Sequence, residues 1–483
     1  MRTGTARRGW REAPSIDRVI DSDVLDRVLA RAVRSGAGFA EVFAEDRRST
    51  SLAFDDGRVD RVTSGRDRGA GIRVVNGSTT GYAHTSDLTE AGLLAAAGAA
   101  AAAAGSGGAG ERVVGSVGPR TEGRRHSPVL TSPGDIAKSD RVDLLLAADD
   151  AARSAGSEIV QVSAGIGDTR RSVLIANTDG VNVSDEVTRV LFRVSAVADG
   201  DAGMQTGYRS LGHTVGWEIF DTVEVSDLAA DAARQALVKL AARPAPSGSM
   251  PVVIKNGSGG VLFHEACGHG LEADHIAKGS SVYAGRMGEL VASPLVTLVD
   301  DGTMTGEWGT SGVDDEGTPT QRNVLISDGV LTDYMWDLLR ARREGRTLSG
   351  NGRRETYECL PMVRMTNTFV LAGPHDPDEI IAATDHGVYV SELGGGSVNT
   401  ATGDFVFGMR EAYLIENGRI TEPLREGNLI GNGPKVLADI DMLAGDFAMG
   451  GPGTCGKDGQ GVPVGDGQPT LRVSSMTVGG TAA

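Results

Sequence analysis

The sequence is short of aromatic residues, of cysteine and of positive charge. Aromatics make up 4% of the 483 residues, so the core must be built from aliphatic and small side chains. The 69 glycines point to small-residue packing, many turns and β structure. Three cysteines, Cys267, Cys359 and Cys455, are too few for a disulfide framework and odd in number, which suits a reducing compartment. Lysine and arginine (47) fall well below aspartate and glutamate (64), for a net charge of −17. That balance argues against general nucleic-acid binding, which needs a basic face to displace counterions. No apolar run is long enough to span a bilayer; the longest bland stretch, "AGLLAAAGAAAAAAGSGGAG", is alanine and glycine. The N-terminus has a paired arginine with no apolar segment after it, so it does not read as a signal peptide. The expected address is the cytoplasm, with no membrane association.

What is present is a folded composition, 40% hydrophobic and long enough for more than one domain. Residues 1–22 read as a loose leader. An N-terminal α/β domain is expected over 23–105. Its first helix runs over 24–34 with Asp23 as cap, and a second runs from Asp87 through the alanine block to Ala104. Between them, "SLAFDDGRVDRV" and "GIRVVNGSTTGYAH" carry D-G and N-G hairpin signals. Residues 106–134 read as a linker. A middle α/β domain follows over 135–243, with helices over 140–154 (Ser139 as cap) and 227–240 (Ser226 as cap). "ARPAPSGSM" is a second linker. Repeated D-G and N-G turns between apolar runs then predict a β-rich domain over 250–483. The fold class is α+β.

One segment of the last domain carries chemistry: "FHEACGHGLEADH", Phe263 to His275. His264 and Glu265 open a zincin-like H-E-x-x-H, but the second histidine, His269, comes one residue late. On a regular helix, positions i and i+4 are about 40° apart and i and i+5 about 140° apart. A π-bulge or kink brings i and i+5 back to one face, and Gly268 has no side chain to obstruct it. A catalytic zinc site takes three protein ligands, and a neighbouring carboxylate serves as base. His264 and His269 supply two ligands and Glu265 the base. For the third, Glu272, His275, Cys267 and Cys455 all compete on spacing and chemistry. Cys267 reads as a small buried thiol, because a kink that turns both histidines inward points it elsewhere. Cys455 lies far away in a glycine-rich loop whose backbone can approach a metal closely. Cys359 reads as structural. As oxyanion helpers, His275, His386 and Arg410 qualify by composition only.

At these residues the chain resembles the TldD subunit of the TldD/PmbA (TldD/TldE) metalloproteases. The resemblance runs through "GSGGVLFHEACGH", "SVYAGRMGELVASPLVTLVDDGT", "DDEGTPTQRNVLISDGVLTDYM" and "RMTNTFVLAG". It continues to "GTCGKDGQGVPVGDGQPTLRVSSMTVGG" and covers most of 250–480, with a weaker likeness of layout before that. It implies zinc held by His264, His269 and Cys455, with Glu265 as the base, which settles the third ligand on Cys455. It also implies an α/β N-terminal part, a β-rich zinc-carrying C-terminal part, and a dimer with a PmbA/TldE-like protein or with itself. Extended, unfolded peptides would be hydrolysed in the enclosed chamber. The rival reading is a non-enzymatic regulatory or assembly subunit of a protease complex.

Overall fold

The computed structural model describes residues 16–480, apart from 17, 18, 35, 106–114 and 202. Most of the expected leader and part of the first linker therefore lie outside the described residues. The fold is α+β: a helix-and-strand region followed by a β-rich domain.

Seven strands form the first sheet: β1 (Phe39–Asp55), β2 (Arg58–Asn76), β3 (Thr79–Thr85), β4 (Thr121–Glu122), β5 (Ile159–Asn177), β6 (Asn182–Ala198) and β7 (Gln205–His213). β1 pairs with β2 on one side and with β5 on the other, from Glu41 opposite Asn177 to Asp55 opposite Ser163. Segments 23–105 and 135–243 thus contribute to one continuous sheet. The D-G signal acts as read: Asp56 and Gly57 both take positive φ, the twisted turn that joins long antiparallel strands.

Strand alternation gives this sheet two faces. Even positions of β1, among them Val42, Ala44, Leu52 and Phe54, are buried under helices. These are α1 (Ser22–Val33) with α2 (Glu90–Ala103), and α3 (Lys138–Arg153) with α4 (Val225–Leu240). Glycine and alanine set the depth of this packing. A Cβ on Gly81 would lie 2.0 Å from the Ala100 carbonyl of α2, and one on Gly207 would lie 1.8 Å from the Ala232 carbonyl of α4. The helices start differently from expectation. α1, α3 and α4 begin before Asp23, Ser139 and Ser226, and no side chain caps them. Buried Val225, in the first turn of α4, shows packing overriding capping preference. α2 begins later, because Asp87 accepts from the Thr89 N–H and Thr89 then caps the Gly92 N–H.

Odd positions face the C-terminal domain through a buried ionic layer. Arg73 pairs with Glu41 (2.8 Å) and Glu316 (2.7 Å), and Arg354 pairs with Glu41 (2.5 Å). Arg171 bridges Glu45 (2.6 Å) and Asp315 (2.8 Å). Phe43 and Tyr357 pack between these pairs in an apolar cluster.

In the C-terminal domain, strand Gly248–Ile254 lies between His386–Val398 and Leu471–Gly479. The latter pairs with Asn428–Asn432, which pairs with Asp404–Glu416, which returns to His386–Val398. Five strands therefore close on themselves. A second sheet contains Leu298–Asp301, Arg322–Ser327, Asn367–Val370 and Gln460–Gln468. Val252, Val253 and Ile254 are fully buried, as a central strand covered on both faces requires. The chain leaves this strand into the segment that carries the histidines.

Candidate metal centre

The segment after Gly248–Ile254 is one distorted helix. A single α turn, Gly260–Phe263, passes into a π turn, His264–Gly268, and then a 3₁₀ turn, His269–Leu271. The His269 N–H donates to the His264 carbonyl, the i+5 bond that one extra residue demands. Both histidines consequently face the same way, with ring centroids 5.0 Å apart and planes at 88°. The π turn is held from outside by Gly433, which opens the helix Gly433–Ala438; a Cβ there would sit 2.1 Å from the Ala266 carbonyl.

Cys455 arrives on a different element. It lies on strand Gly453–Lys457, which pairs with Gln460–Gln468 and places Cys455 opposite Val462. The turn between them is another D-G pair, Asp458 and Gly459, both at positive φ. The Cys455 carbonyl accepts from the buried guanidinium of Arg364. Its Sγ stands 3.2 Å from His269 Nε2. One donor atom from each of His264, His269 and Cys455 lies within 4.8 Å of the others, and all three residues are buried.

The electrostatics suit a cation. Burial opposes ionisation of the Cys455 thiol, but the two imidazoles outweigh it and bring the thiol down to about 5. His264 Nδ1 is buried with no hydrogen-bond partner among the described residues. His269 Nδ1 lies 3.0 Å from Glu272 Oε2, so it donates there and turns Nε2 toward Cys455. Glu272 is fully buried, yet His269 and Lys457 hold its carboxyl at about 2. These donors fit a thiophilic divalent cation with mixed nitrogen and sulfur ligands. A second acidic group, Glu272, Asp274 and His275, fits less well. Lys457 Nζ already occupies it, at 2.9 Å from Glu272 and 2.7 Å from Asp274.

Glu265 follows His264 on the π turn and is half-buried. Burial raises its carboxyl above the ordinary value, and it has no hydrogen-bond partner among the described residues. Cys267 points away, its Sγ donating to the Phe263 carbonyl at 3.0 Å, and burial pushes its thiol up to about 12. Cys359 lies in a bend, not on a strand. Of the composition-based oxyanion candidates, His275 lies 3.8 Å from Glu272. His386 is 70% exposed beside Asp385, and Arg410 pairs with Glu392 at 2.7 Å. Sequence reading weighed Glu272 only as a ligand and passed over Lys457. The i+3 spacing of Glu272 from His269 was the one available signal.

The chain matches the PmbA/TldA metallopeptidase family in three parts. Domain 1 covers 40–104, the central domain 131–240 and the C-terminal domain 247–480. The chain belongs to the TldD/PmbA metallopeptidase family. Within the family, it is 40% identical to the Haemophilus influenzae protein named metalloprotease TldD homolog, over 92% of this chain and 93% of that one. A crystal structure from Thermotoga maritima shares the fold with a TM-score of 0.76 at 21% identity, covering 95% of this chain and 99% of that one. TldE from Thermococcus kodakarensis does so with a TM-score of 0.72 at 18% identity, covering 94% and 99%. Among the described residues, no helix is long and apolar enough to cross a membrane.

Proposed function

We propose that this TldD/PmbA-family protein is a zinc-dependent peptidase acting on extended, unfolded peptides in the cytoplasm. The observation that carries the reading is the convergence of His264, His269 and Cys455, with Glu265 beside them on the π turn. These three side chains would hold the zinc. When bound, it supplies a Lewis acid for the scissile carbonyl and lowers the pKa of water. Three protein ligands leave a position open, unlike the closed four-ligand set of structural zinc.

Glu265 is the general base. Its raised carboxyl takes the proton of the attacking water and passes it to the leaving amine. Glu272 positions the His269 ring, and Lys457 ties the Cys455 hairpin to the same carboxylate. Among the described residues, the strand that carries Cys455 pairs only with Gln460–Gln468, and its open edge suits main-chain pairing with an extended peptide, which gives binding without strong sequence preference. The likeness to a TldE structure and the TldD name of the Haemophilus relative support a dimer with a TldE-like protein or with a second copy.

The test is to purify the chain with and without a co-expressed TldE-like protein and measure bound zinc. Cleavage of an unstructured peptide is then followed with and without chelator. Glu265→Gln should abolish cleavage while zinc remains bound. Normal cleavage by that variant would refute the base assignment. Protein without zinc that still supports its partner's cleavage would favour the regulatory reading.

A further inference from the structure

A cavity of about 280 Å³ lies between the inner face of the N-terminal sheet and the C-terminal domain. Its sheet wall is built from odd positions of β1, β5 and β6, among them Arg47, Arg171 and Arg189. Its opposite wall includes Arg353 and the hairpin that carries Cys455.

The charges in this cavity do not balance. Arg47, Arg189 and Arg353 line it with no ion pair or hydrogen bond to a carboxylate among the described residues, although the charge of Asp315 is felt by Arg189 and Arg353. Arg189 is 8% exposed and Arg353 6%, so both are removed from water. Their guanidiniums hydrogen-bond only to carbonyls: Arg189 donates to Trp308 (2.9 Å) and Thr310 (3.1 Å), and Arg353 to Met365 and Pro463 (2.7 Å); Arg189 also lies over the Trp308 ring, 5.9 Å from its centroid. Arg171 has acidic partners, yet its Nη2 is buried with no hydrogen-bond partner among the described residues.

The acids around the cavity are already committed. Asp185 accepts from the N–H groups of Gly312 and Val313, Asp314 from those of Glu316, Thr318 and Gly352, and Glu355 from that of Gly461, while Asp315 pairs with Arg171 and accepts from the Arg354 N–H. Burial pushes the Asp185 and Asp314 carboxyls up, toward the neutral form. Burial and neighbouring guanidiniums bring Arg189 down to about 9. A buried cation without a counterion is costly, and a bound anion removes that cost.

The position relates the cavity to the metal centre. Thr454 and its cross-strand partner Pro463 line the cavity, while the next residue, Cys455, belongs to the metal-ligand cluster. Thr454 and Cys455 are consecutive residues whose side chains point to opposite faces of the strand, so the cavity and the metal-ligand cluster share this one hairpin.

We propose that this cavity is a carboxylate subsite, in which Arg47, Arg189 and Arg353 receive an α-carboxylate or an acidic side chain of an extended peptide. Planar guanidiniums suit a carboxylate, and the volume suits one or two residues of peptide. The identity of the ligand rests on the peptidase reading above.

The test measures fluorescence anisotropy of labelled, unstructured peptides on the full chain carrying Glu265→Gln. Three peptides are compared: one with a free C-terminus, its C-terminal amide, and an amide carrying one internal glutamate. At least one carboxylate peptide should bind about tenfold more tightly than the plain amide, and which one does so names the source. That ratio should fall below about threefold with Arg47→Gln or Arg189→Met. Arg47→Gln keeps the test sound if Arg189→Met does not fold, because Arg47 is half-buried and makes no ion pair among the described residues. Equal affinity for all three peptides, or a ratio that survives both substitutions, would overturn the proposal. If the unsubstituted protein cleaves no peptide while the ratio holds, the peptidase reading falls alone. Cleavage without any ratio removes only the subsite.

Discussion

Glu272→Gln is the sharpest perturbation of the metal centre, because it leaves every proposed ligand in place. Glu272 is fully buried, and its Oε2 takes bonds from His269 Nδ1 (3.0 Å) and Lys457 Nζ (2.9 Å). Glutamine keeps the shape and one acceptor oxygen but removes the charge. A charge-assisted hydrogen bond is about twice as strong as a neutral one, so about 1 kcal/mol is lost at the His269 contact. The imidazole also becomes a weaker donor to zinc. Together these effects should weaken zinc binding by about ten- to a hundredfold. The hairpin should stay in place, because Lys457 keeps Asp274 at 2.7 Å. The assay is competition against a chromophoric zinc chelator at neutral pH, with circular dichroism to check the fold. Zinc affinity within about twofold of the unsubstituted protein would refute the positioning role of Glu272.

Three further outcomes follow from the same geometry. Cys455→Ala should lose stoichiometric zinc and Cys267→Ala should keep it, since only the first thiol faces the histidines; metal analysis of both proteins checks this. Gly433→Ala should destabilise the fold more than Gly268→Ala, by upwards of about 1–3 kcal/mol in denaturant melts. Its Cβ meets the Ala266 backbone, whereas that of Gly268 meets the flexible end of Met365. Glu411 joins α4 to strand Asp404–Glu416 through Arg234 and Gln235. Burial opposes its ionisation, but these partners hold its carboxyl at about 2. A depressed carboxyl contributes fully above its unfolded value, and the contribution is lost as pH falls toward about 2. Glu411→Gln should therefore cost about 2 kcal/mol near neutrality and much less at the acid end, read from denaturant melts across that range.

Much of the local structure was legible because its causes are local. A D-G pair forecast the turn at Asp56-Gly57, since few residues tolerate positive φ, whereas the segment read as a glycine-rich loop around Cys455 is a hairpin that turns at Asp458-Gly459. Helix starts were misplaced at Asp23, Ser139 and Ser226, where packing outweighs capping. The spacing of His264 and His269 forecast the π turn, because one extra residue must be absorbed before two rings can share a face.

The pairing of segments 23–105 and 135–243 in one sheet was not legible. Antiparallel register between β1 and β5 depends on contacts more than 100 positions apart. Nor does spacing choose Cys455 from the four candidate third ligands; that choice rests on the family resemblance. The fold sets the thiol 3.2 Å from His269, aims Cys267 at a carbonyl and puts Lys457 into the rival acidic cluster. The sequence alone determined the two histidine donors, the glutamate beside them and the need for a distorted helix, because these follow from residue type and helical period. Tertiary structure alone decided the partner of His269, the burial that tunes each group and the uncompensated arginines behind the Cys455 hairpin. Those depend on which surfaces the folded chain brings together and closes off from water.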